Sequence, residues 1–166
     1  MSAYMRGFLF GLFLLTFSFH AFSQDDIVQG PFKLDEKSSV IIKKEKDMDY
    51  PLAIYFENND KSYKVDSYEV DGDDPHVQTV FFTKLDNKKN VIVLISWEQK
   101  HSAERVNGVA YKVYGYRYDS KELSINQSIK NDLNLEGLDG EFDGKQLIFM
   151  YKNAAEIKKY LRLNYK

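Results

Sequence analysis

Five consecutive aliphatic residues, VIVLI at positions 91–95, constrain the fold more than any other stretch of the chain. A strand that faces solvent on one side alternates apolar and polar side chains, whereas this run has no polar position. The run therefore predicts a strand covered on both faces, in the middle of a sheet or sandwich. A second strand precedes it within residues 77–98, across a polar turn at 85–90. We expect the rest of the fold to pack around this pair.

Most other patterns in the chain are those of strands. Short apolar or alternating segments that predict them lie at 39–44, 52–56, 63–70, 109–118 and 146–151. Residues 124–133 change to a period of four, which predicts a short helix, and Asn153 is placed to cap a closing helix. The predicted fold class is α+β, predominantly antiparallel β, with about six to eight strands and two short helices near the C-terminus. We expect a single compact domain.

The N-terminus has the three-part pattern of a secretory signal peptide. Arg6 supplies a positive charge, residues 7–19 are apolar, and Ala21 and Ser23 supply the small residues of a cleavage site. We expect a signal peptide at 1–23 and one exported β-rich domain at 24–166, which is 143 of the 166 residues. The alternative is an uncleaved membrane anchor, but the apolar run is shorter than the roughly 20 residues that span a bilayer.

The net charge indicates which classes of partner are expected, and the absence of cysteine indicates the cellular compartment. After loss of Arg6 the exported part carries 22 basic and 25 acidic residues, a net charge of −3. This balance gives no reason to expect nucleic acid, or a membrane after cleavage, as a partner. The chain has no cysteine, which excludes a lipid-anchored signal and disulfides. A cysteine-free exported chain fits a bacterial periplasm, so we expect a periplasmic or secreted protein.

Two acidic loops are candidate calcium sites, because loops rich in carboxylates bind this ion. The first loop contains Asp71, Asp73 and Asp74, and the second contains Asp139 and Asp143. Neither has the spacing of an EF-hand, and each is otherwise a solvated Asp-Gly turn. Calcium becomes the better interpretation only if the two loops meet in space, and no other cofactor is expected.

Residues 81–95 resemble the strand–loop–strand segments of FG-GAP and VCBS-type calcium domains. The resemblance lies in the Phe-Phe pair before Asp86 and in the aliphatic strand that follows. The loop departs from the family pattern, because Lys88 and Lys89 stand where ligands are expected and two ammonium groups repel a dication. The family's function is not transferred, and the segment is interpreted as a lysine-bearing solvent turn.

The end of the central strand carries candidate binding residues. Trp97, Glu98 and His101 lie where the strand enters a loop, and loops held by rigid strands often carry binding groups. His101 and His76, with neighbouring carboxylates, also suit a zinc site or a general base. The alternative is a solvated loop in which Trp97 caps the core.

A further candidate surface is a row of tyrosines. Tyr114, Tyr116 and Tyr118 share one face of a predicted strand, because side chains alternate along a strand. Such a row stacks a sugar or receives a partner loop, but it is equally normal between paired strands.

These features favour a small exported binding module, an inhibitor or immunity-type protein that occludes a partner enzyme or toxin. The chain has no cysteine, G-x-S-x-G motif or glycine-rich phosphate loop, so an enzyme is less favoured. We expect a protein partner at an interface formed by Trp97, Tyr116 and the loop at 71–74. The alternatives are a metal-assisted hydrolase that uses His76 and His101, and a calcium-stabilised structural domain.

Overall fold

The computed structural model describes residues 26–165, so the predicted signal peptide lies outside the described residues. The described chain forms two antiparallel sheets and two short helices near its C-terminus, with ten strands rather than the predicted six to eight. The strands are β1 Ile27–Lys33, β2 Ser38–Lys44, β3 Leu52–Asn58, β4 Lys61–Tyr68, β5 His76–Leu85, β6 Lys88–His101, β7 Val106–Tyr118, β8 Leu123–Ile125, β9 Glu136–Phe142 and β10 Lys145–Leu147. The helices are α1 Gln127–Lys130 and α2 Ala154–Asn164, and 3₁₀ turns lie at Ser102–Glu104 and Leu133–Leu135.

The first sheet has the order β1-β2-β3-β4, and the second has the order β10-β9-β7-β6-β5 with β8 on the end of β7. The hairpin of β5 and β6 turns on two residues, Asp86 and Asn87, since Leu85 pairs with Lys88. Both turn residues have positive φ angles, 47° and 59°, as a two-residue hairpin turn requires. These two residues are exposed to solvent, as predicted, but Lys88, Lys89 and the buried Asn90, which the sequence assigned to the turn, belong to β6.

The predicted central strand is confirmed. β6 pairs with β5 on one side and with β7 along its full length on the other. All five side chains of the run at 91–95 are 0 % exposed. Val91, Val93 and Ile95 face the first sheet, whereas Ile92 and Leu94 face the helices. β6 thus belongs to the middle of three layers, which is why its sequence has no polar alternation.

The core between the two sheets contains a buried hydroxyl cluster. Tyr68 and Tyr116 are both 0 % exposed, and their hydroxyl oxygens are 3.0 Å apart. The Tyr116 hydroxyl also lies 3.2 Å from Asp66 Oδ2. Burial above all, and then the neighbouring Tyr68 and Asp66, raise the pKa of Tyr116 well above its ordinary value. The cluster joins β4 of one sheet to β7 of the other.

The outer face of the second sheet is covered by the helical layer, which consists of α1, the turn Leu133–Leu135, the segment at 148–153 and α2. The predicted cap of α2 is confirmed, because Asn153 Oδ1 accepts the backbone N–H groups of Ala155 and Glu156 at 3.0 and 3.1 Å. Ile157 and Leu161 of α2 are 0 % exposed against the sheet. None of the helices within residues 26–165 has the length and apolar character needed to cross a membrane.

α1 is shorter than the helix predicted at 124–133, because Leu123–Ile125 pair with β7 as a strand. Ile129 is buried directly over Gly115 of β7. A Cβ atom at Gly115 would stand 2.5 Å from Ile129 Cδ1, so only a glycine allows α1 to lie this close to the sheet.

Asp132 ties the end of α2 to the turn before β9. Its Oδ2 atom accepts the hydroxyls of Tyr160 and Tyr165 at 2.8 and 2.7 Å, and its Oδ1 atom accepts the backbone N–H of Asn134 at 3.0 Å. Burial raises the pKa of Asp132, but the hydrogen bonds from Tyr165, Tyr160 and Asn134 outweigh it and lower the pKa below 3.8. The ionised carboxylate therefore helps to hold the helical layer.

The prediction of a buried strand at 146–151 is wrong. Only Lys145–Leu147 form a strand, at the exposed edge of the second sheet. Ile148 and Met150 are 70 % and 63 % exposed, whereas Phe149 between them is buried and stacks on Tyr111 with ring centroids 5.5 Å apart. The chain leaves the sheet after Leu147, so apolar character alone does not imply burial in this segment.

Candidate binding surface at one end of the second sheet

Three turns meet the same end of the second sheet. They are the acidic loop, defined as residues 70–75 before β5, the 3₁₀ turn Ser102–Glu104 between β6 and β7, and the turn between β9 and β10. The register places His101 opposite Val106 and Val106 opposite Phe142, so the three strand ends are level. Two segments that the sequence presents as separate candidates, the acidic loop and the His101 loop, are therefore neighbours.

Alternate side chains of β6 hold the acidic loop. Trp97 Nε1 donates to the carbonyl oxygen of Glu69 at 2.8 Å, and Gln99 Nε2 donates to the carbonyl oxygen of Asp71 at 2.6 Å. His101 Nε2 lies 3.1 Å from Gln99 Oε1. Since the Gln99 amide nitrogen is already donating, its oxygen accepts, and this places the imidazole proton on Nε2 of His101. We call Trp97, Gln99 and His101 the ladder.

A glycine makes this contact possible. Gly72 has a φ of 74°, and a Cβ atom there would stand 2.6 Å from His101 Nε2 and 2.7 Å from Gln99 Oε1. Any side chain at this position would displace the ladder. Gln99 is only 8 % exposed, so its amide is buried with both ends bonded rather than free in solvent. The main chain is consequently held at Asp71 and, just before the acidic loop, at Glu69.

The acidic loop presents carboxylates to solvent. Asp71 and Asp74 are exposed and Asp73 is half-buried. On the neighbouring strand Lys100 donates to Glu98 at 2.6 Å, and both side chains are exposed. The hydrogen bond and charge of Glu98, with a further contribution from Asp73, raise the pKa of Lys100. The surface thus carries the carboxylates of the acidic loop beside a lysine that is already paired.

The second acidic segment does not join the first in a metal site. Asp139 accepts the Lys152 ammonium at 2.7 Å, and Asp143 pairs with Arg105 at 3.2 Å. The Lys152 ammonium is the main cause of the lowered pKa of Asp139. Within residues 26–165 no group of three or more His, Cys, Asp or Glu side chains is arranged to hold a metal ion. Asp139 and Asp143 are therefore engaged by cations of the protein itself rather than grouped with the carboxylates of the acidic loop.

His76 and His101 do not share a site. His76 opens β5 opposite Ser96, whereas His101 lies five residues farther along β6. At the rise of a strand this separation is about 17 Å, too far for one zinc ion. The predicted shared zinc site is wrong, because the antiparallel register sends the two side chains to different places along the strand pair.

The tyrosine row faces the first sheet. Tyr114, Tyr116 and Tyr118 are 7 %, 0 % and 8 % exposed, and Trp97 is 3 % exposed. The Tyr118 hydroxyl donates to Asp35 in the turn between β1 and β2. These aromatic side chains belong to the core between the sheets, which is the ordinary alternative for such a row. At the candidate surface Trp97 acts as a support for the acidic loop.

Gln99, Gly72 and Arg105 complete the surface, and sequence reasoning missed all three. A signal for Gln99 was present, because it stands two residues from Trp97 and two from His101 on the same strand face. Gly72 shows its role only through the close approach of His101.

Comparison with known proteins gives no match, whether to a protein-family model, a curated protein or a solved structure.

Proposed function

We propose that the protein is a small exported binding module, of inhibitor or immunity type, which occludes a partner enzyme or toxin. The observation that carries this proposal is the acidic loop, whose main chain is held by buried side chains while its carboxylates face solvent. A loop that is ordered before binding avoids most of the entropic cost of ordering it on contact. This arrangement suits recognition of a partner surface.

The charge of the loop indicates the complementary surface. Asp71 and Asp74 are exposed and Asp73 is half-buried, so the partner is expected to present lysine or arginine side chains around the cleft that becomes blocked. Such charge pairs raise the association rate and reject partners of like charge. The buried ladder is not itself a contact surface. Its role in the proposal is to keep the carboxylates in one arrangement.

The experiment is a quantitative capture from envelope extracts with a matched pair of variants. Asp71→Asn/Asp73→Asn/Asp74→Asn removes three charges from the acidic loop. The control variant, Asp26→Asn/Asp60→Asn/Asp86→Asn, removes three exposed carboxylates elsewhere and gives the same net charge. We expect a stoichiometric basic partner that is retained by the wild type and the control variant and is lost from the loop variant.

The captured partner is then assayed for its own activity. We expect added wild-type protein to inhibit it, and the loop variant to associate roughly tenfold more slowly at low salt. The proposal fails if no stoichiometric partner is captured, or if the loop variant captures and inhibits as well as the wild type.

A further inference from the structure

Basic charge is concentrated at the C-terminal end of the chain. Residues 145–166 hold six of the 22 basic and one of the 25 acidic residues of the exported part, a net charge of +5. Residues 24–144 hold the other sixteen basic and 24 acidic residues, a net charge of −8. The net charge of −3 for the exported part is therefore the sum of a basic C-terminal segment and an acidic remainder.

Three carboxylates near the helical layer are engaged by the protein's own groups, whereas Glu156 in the first turn of α2 is exposed. Asp132 accepts two tyrosine hydroxyls, Asp139 accepts Lys152, and Glu136 accepts Lys112 at 2.6 Å. Asp139 and Glu136 each offset one ammonium. Residues 148–164 hold Lys152, Lys158, Lys159 and Arg162 against the single carboxylate of Glu156, so an excess of positive charge remains. The exposed cations Lys159 and Arg162 carry this excess on the outer side of α2.

Apolar side chains protrude from the same layer. Ile148 and Met150 are 70 % and 63 % exposed, on either side of the buried Phe149. On α2, Leu161 faces the sheet, whereas Leu163 is 69 % exposed on the side that carries Lys159 and Arg162. Leu133, next to the Asp132 anchor of α2, is 78 % exposed.

We propose that the helical layer docks the folded domain on an anionic lipid surface. Lys159 and Arg162 would lie at the headgroup level, and Ile148, Met150 and Leu163 would enter the boundary with the acyl chains. Charge complementarity and separate apolar protrusions support a lipid occupant. This revises the expectation drawn from net charge, and it does not depend on the proposed inhibitor function.

The test is co-sedimentation with vesicles. Within residues 26–165 the buried residues of both cores lie between Leu34 and Leu161, so a chain that begins at Gln24 contains every described element and is tested beside the full chain. The probes are phosphatidylcholine vesicles with and without about one-third phosphatidylglycerol. We expect the chain from Gln24 to bind only the anionic vesicles at low salt and to be released in about 1 M NaCl, where the Debye length is about 3 Å.

Matched variants locate the surface. Each basic residue near an anionic surface contributes about fivefold to binding, so Lys159→Ser/Arg162→Ser should bind about 25-fold more weakly. Lys46→Ser/Lys61→Ser makes the same charge change at two exposed positions of the first sheet, the loop before β3 and the start of β4, and should bind like the wild type. Met150→Ser should weaken binding severalfold, whereas Met48→Ser, at an 88 % exposed position of the first sheet's loops, should not.

Three results would overturn the proposal. One is an absence of binding by the chain from Gln24 to anionic vesicles at low salt. Another is an equal loss of vesicle binding in Lys159→Ser/Arg162→Ser and in Lys46→Ser/Lys61→Ser, which would indicate that the vesicles attract basic residues anywhere on the protein. The third is binding of soluble poly-glutamate, lost in Lys159→Ser/Arg162→Ser, without vesicle binding, which would assign the surface to an acidic protein. The acidic-loop variant Asp71→Asn/Asp73→Asn/Asp74→Asn should bind vesicles normally, so failure of one proposal leaves the other intact.

Discussion

Replacing Tyr116 with Phe should destabilise the protein by about 3 kcal/mol, far more than the loss of one ordinary hydrogen bond. The Tyr116 hydroxyl lies 3.2 Å from the Asp66 carboxylate and 3.0 Å from the Tyr68 hydroxyl. A hydroxyl carries one proton, so donation to Asp66 leaves the Tyr116 oxygen to accept the proton of Tyr68. Tyr116→Phe removes a bond to a charged group, worth about 1.5–3 kcal/mol, and strands the fully buried Tyr68 hydroxyl at a cost of about 1–3 kcal/mol.

The partner substitution should behave differently. Tyr68→Phe deletes one neutral hydrogen bond and leaves Tyr116 bonded to Asp66, so we expect a loss of about 1 kcal/mol. In the double variant no hydroxyl is stranded, and the total should fall about 1 kcal/mol below the sum of the single losses. The double variant should lose less than the sum because only Tyr116→Phe alone leaves the Tyr68 hydroxyl without a partner. Packing does not explain the difference, because each change keeps the aromatic ring.

The assay is equilibrium unfolding in urea at pH 7, followed through the fluorescence of the single tryptophan, Trp97. Tyr63→Phe serves as the control, since this side chain is 50 % exposed and its change should stay within about 0.5 kcal/mol. The reasoning would be refuted if Tyr116→Phe lay within about 0.5 kcal/mol of the wild type, or if the two losses simply added.

Three further predictions concern the helical layer. Gly115→Ala should cost about 1–3 kcal/mol in urea unfolding, because the added methyl group would stand 2.5 Å from Ile129 Cδ1, and Ile129→Val in the same chain should recover part of this loss. The pKa of Asp132 is lowered in the folded state, so its stabilisation is fully present above the unfolded value near 3.9 and is lost as the pH falls through the folded pKa. The free energy of unfolding should therefore drop below about pH 4 in the wild type and drop less steeply in Asp132→Asn; equal slopes in a pH series of urea titrations would contradict this. Leu161→Ala should cost about 2–5 kcal/mol, since the side chain is 0 % exposed, whereas Leu163→Ala should change the midpoint of thermal unfolding little; similar losses for both would mean that α2 is not docked as described.

The sequence by itself determined the features that depend on residues close together in the chain. The uninterrupted run at 91–95 had one structural solution, a strand covered on both faces, and β6 has this position. Asn153 caps α2 because a side-chain acceptor one residue before a helix reaches its free N–H groups. The turn at Asp86 and Asn87 follows in the same way from polar residues between two strands.

Only the tertiary structure decided what lies against each face. Periodicity shows that Tyr114, Tyr116 and Tyr118 share one side of a strand, but the same pattern suits an exposed row and a buried one. The first sheet covers this side and places it in the core. Similarly, the apolar segment at 146–151 is mostly exposed, because β10 is an edge strand that ends at Leu147 and the chain then leaves the sheet.

The candidate surface also depends on contacts that no local pattern encodes. Gln99 holds the carbonyl of Asp71 across 28 positions of sequence, and the strand register keeps His76 and His101 apart. Such contacts follow from strand order and register, which depend on how all the apolar faces of the chain are buried together. The types of residue that form the surface were therefore visible in the sequence, whereas their arrangement was decided by the packing of the two sheets and the helical layer.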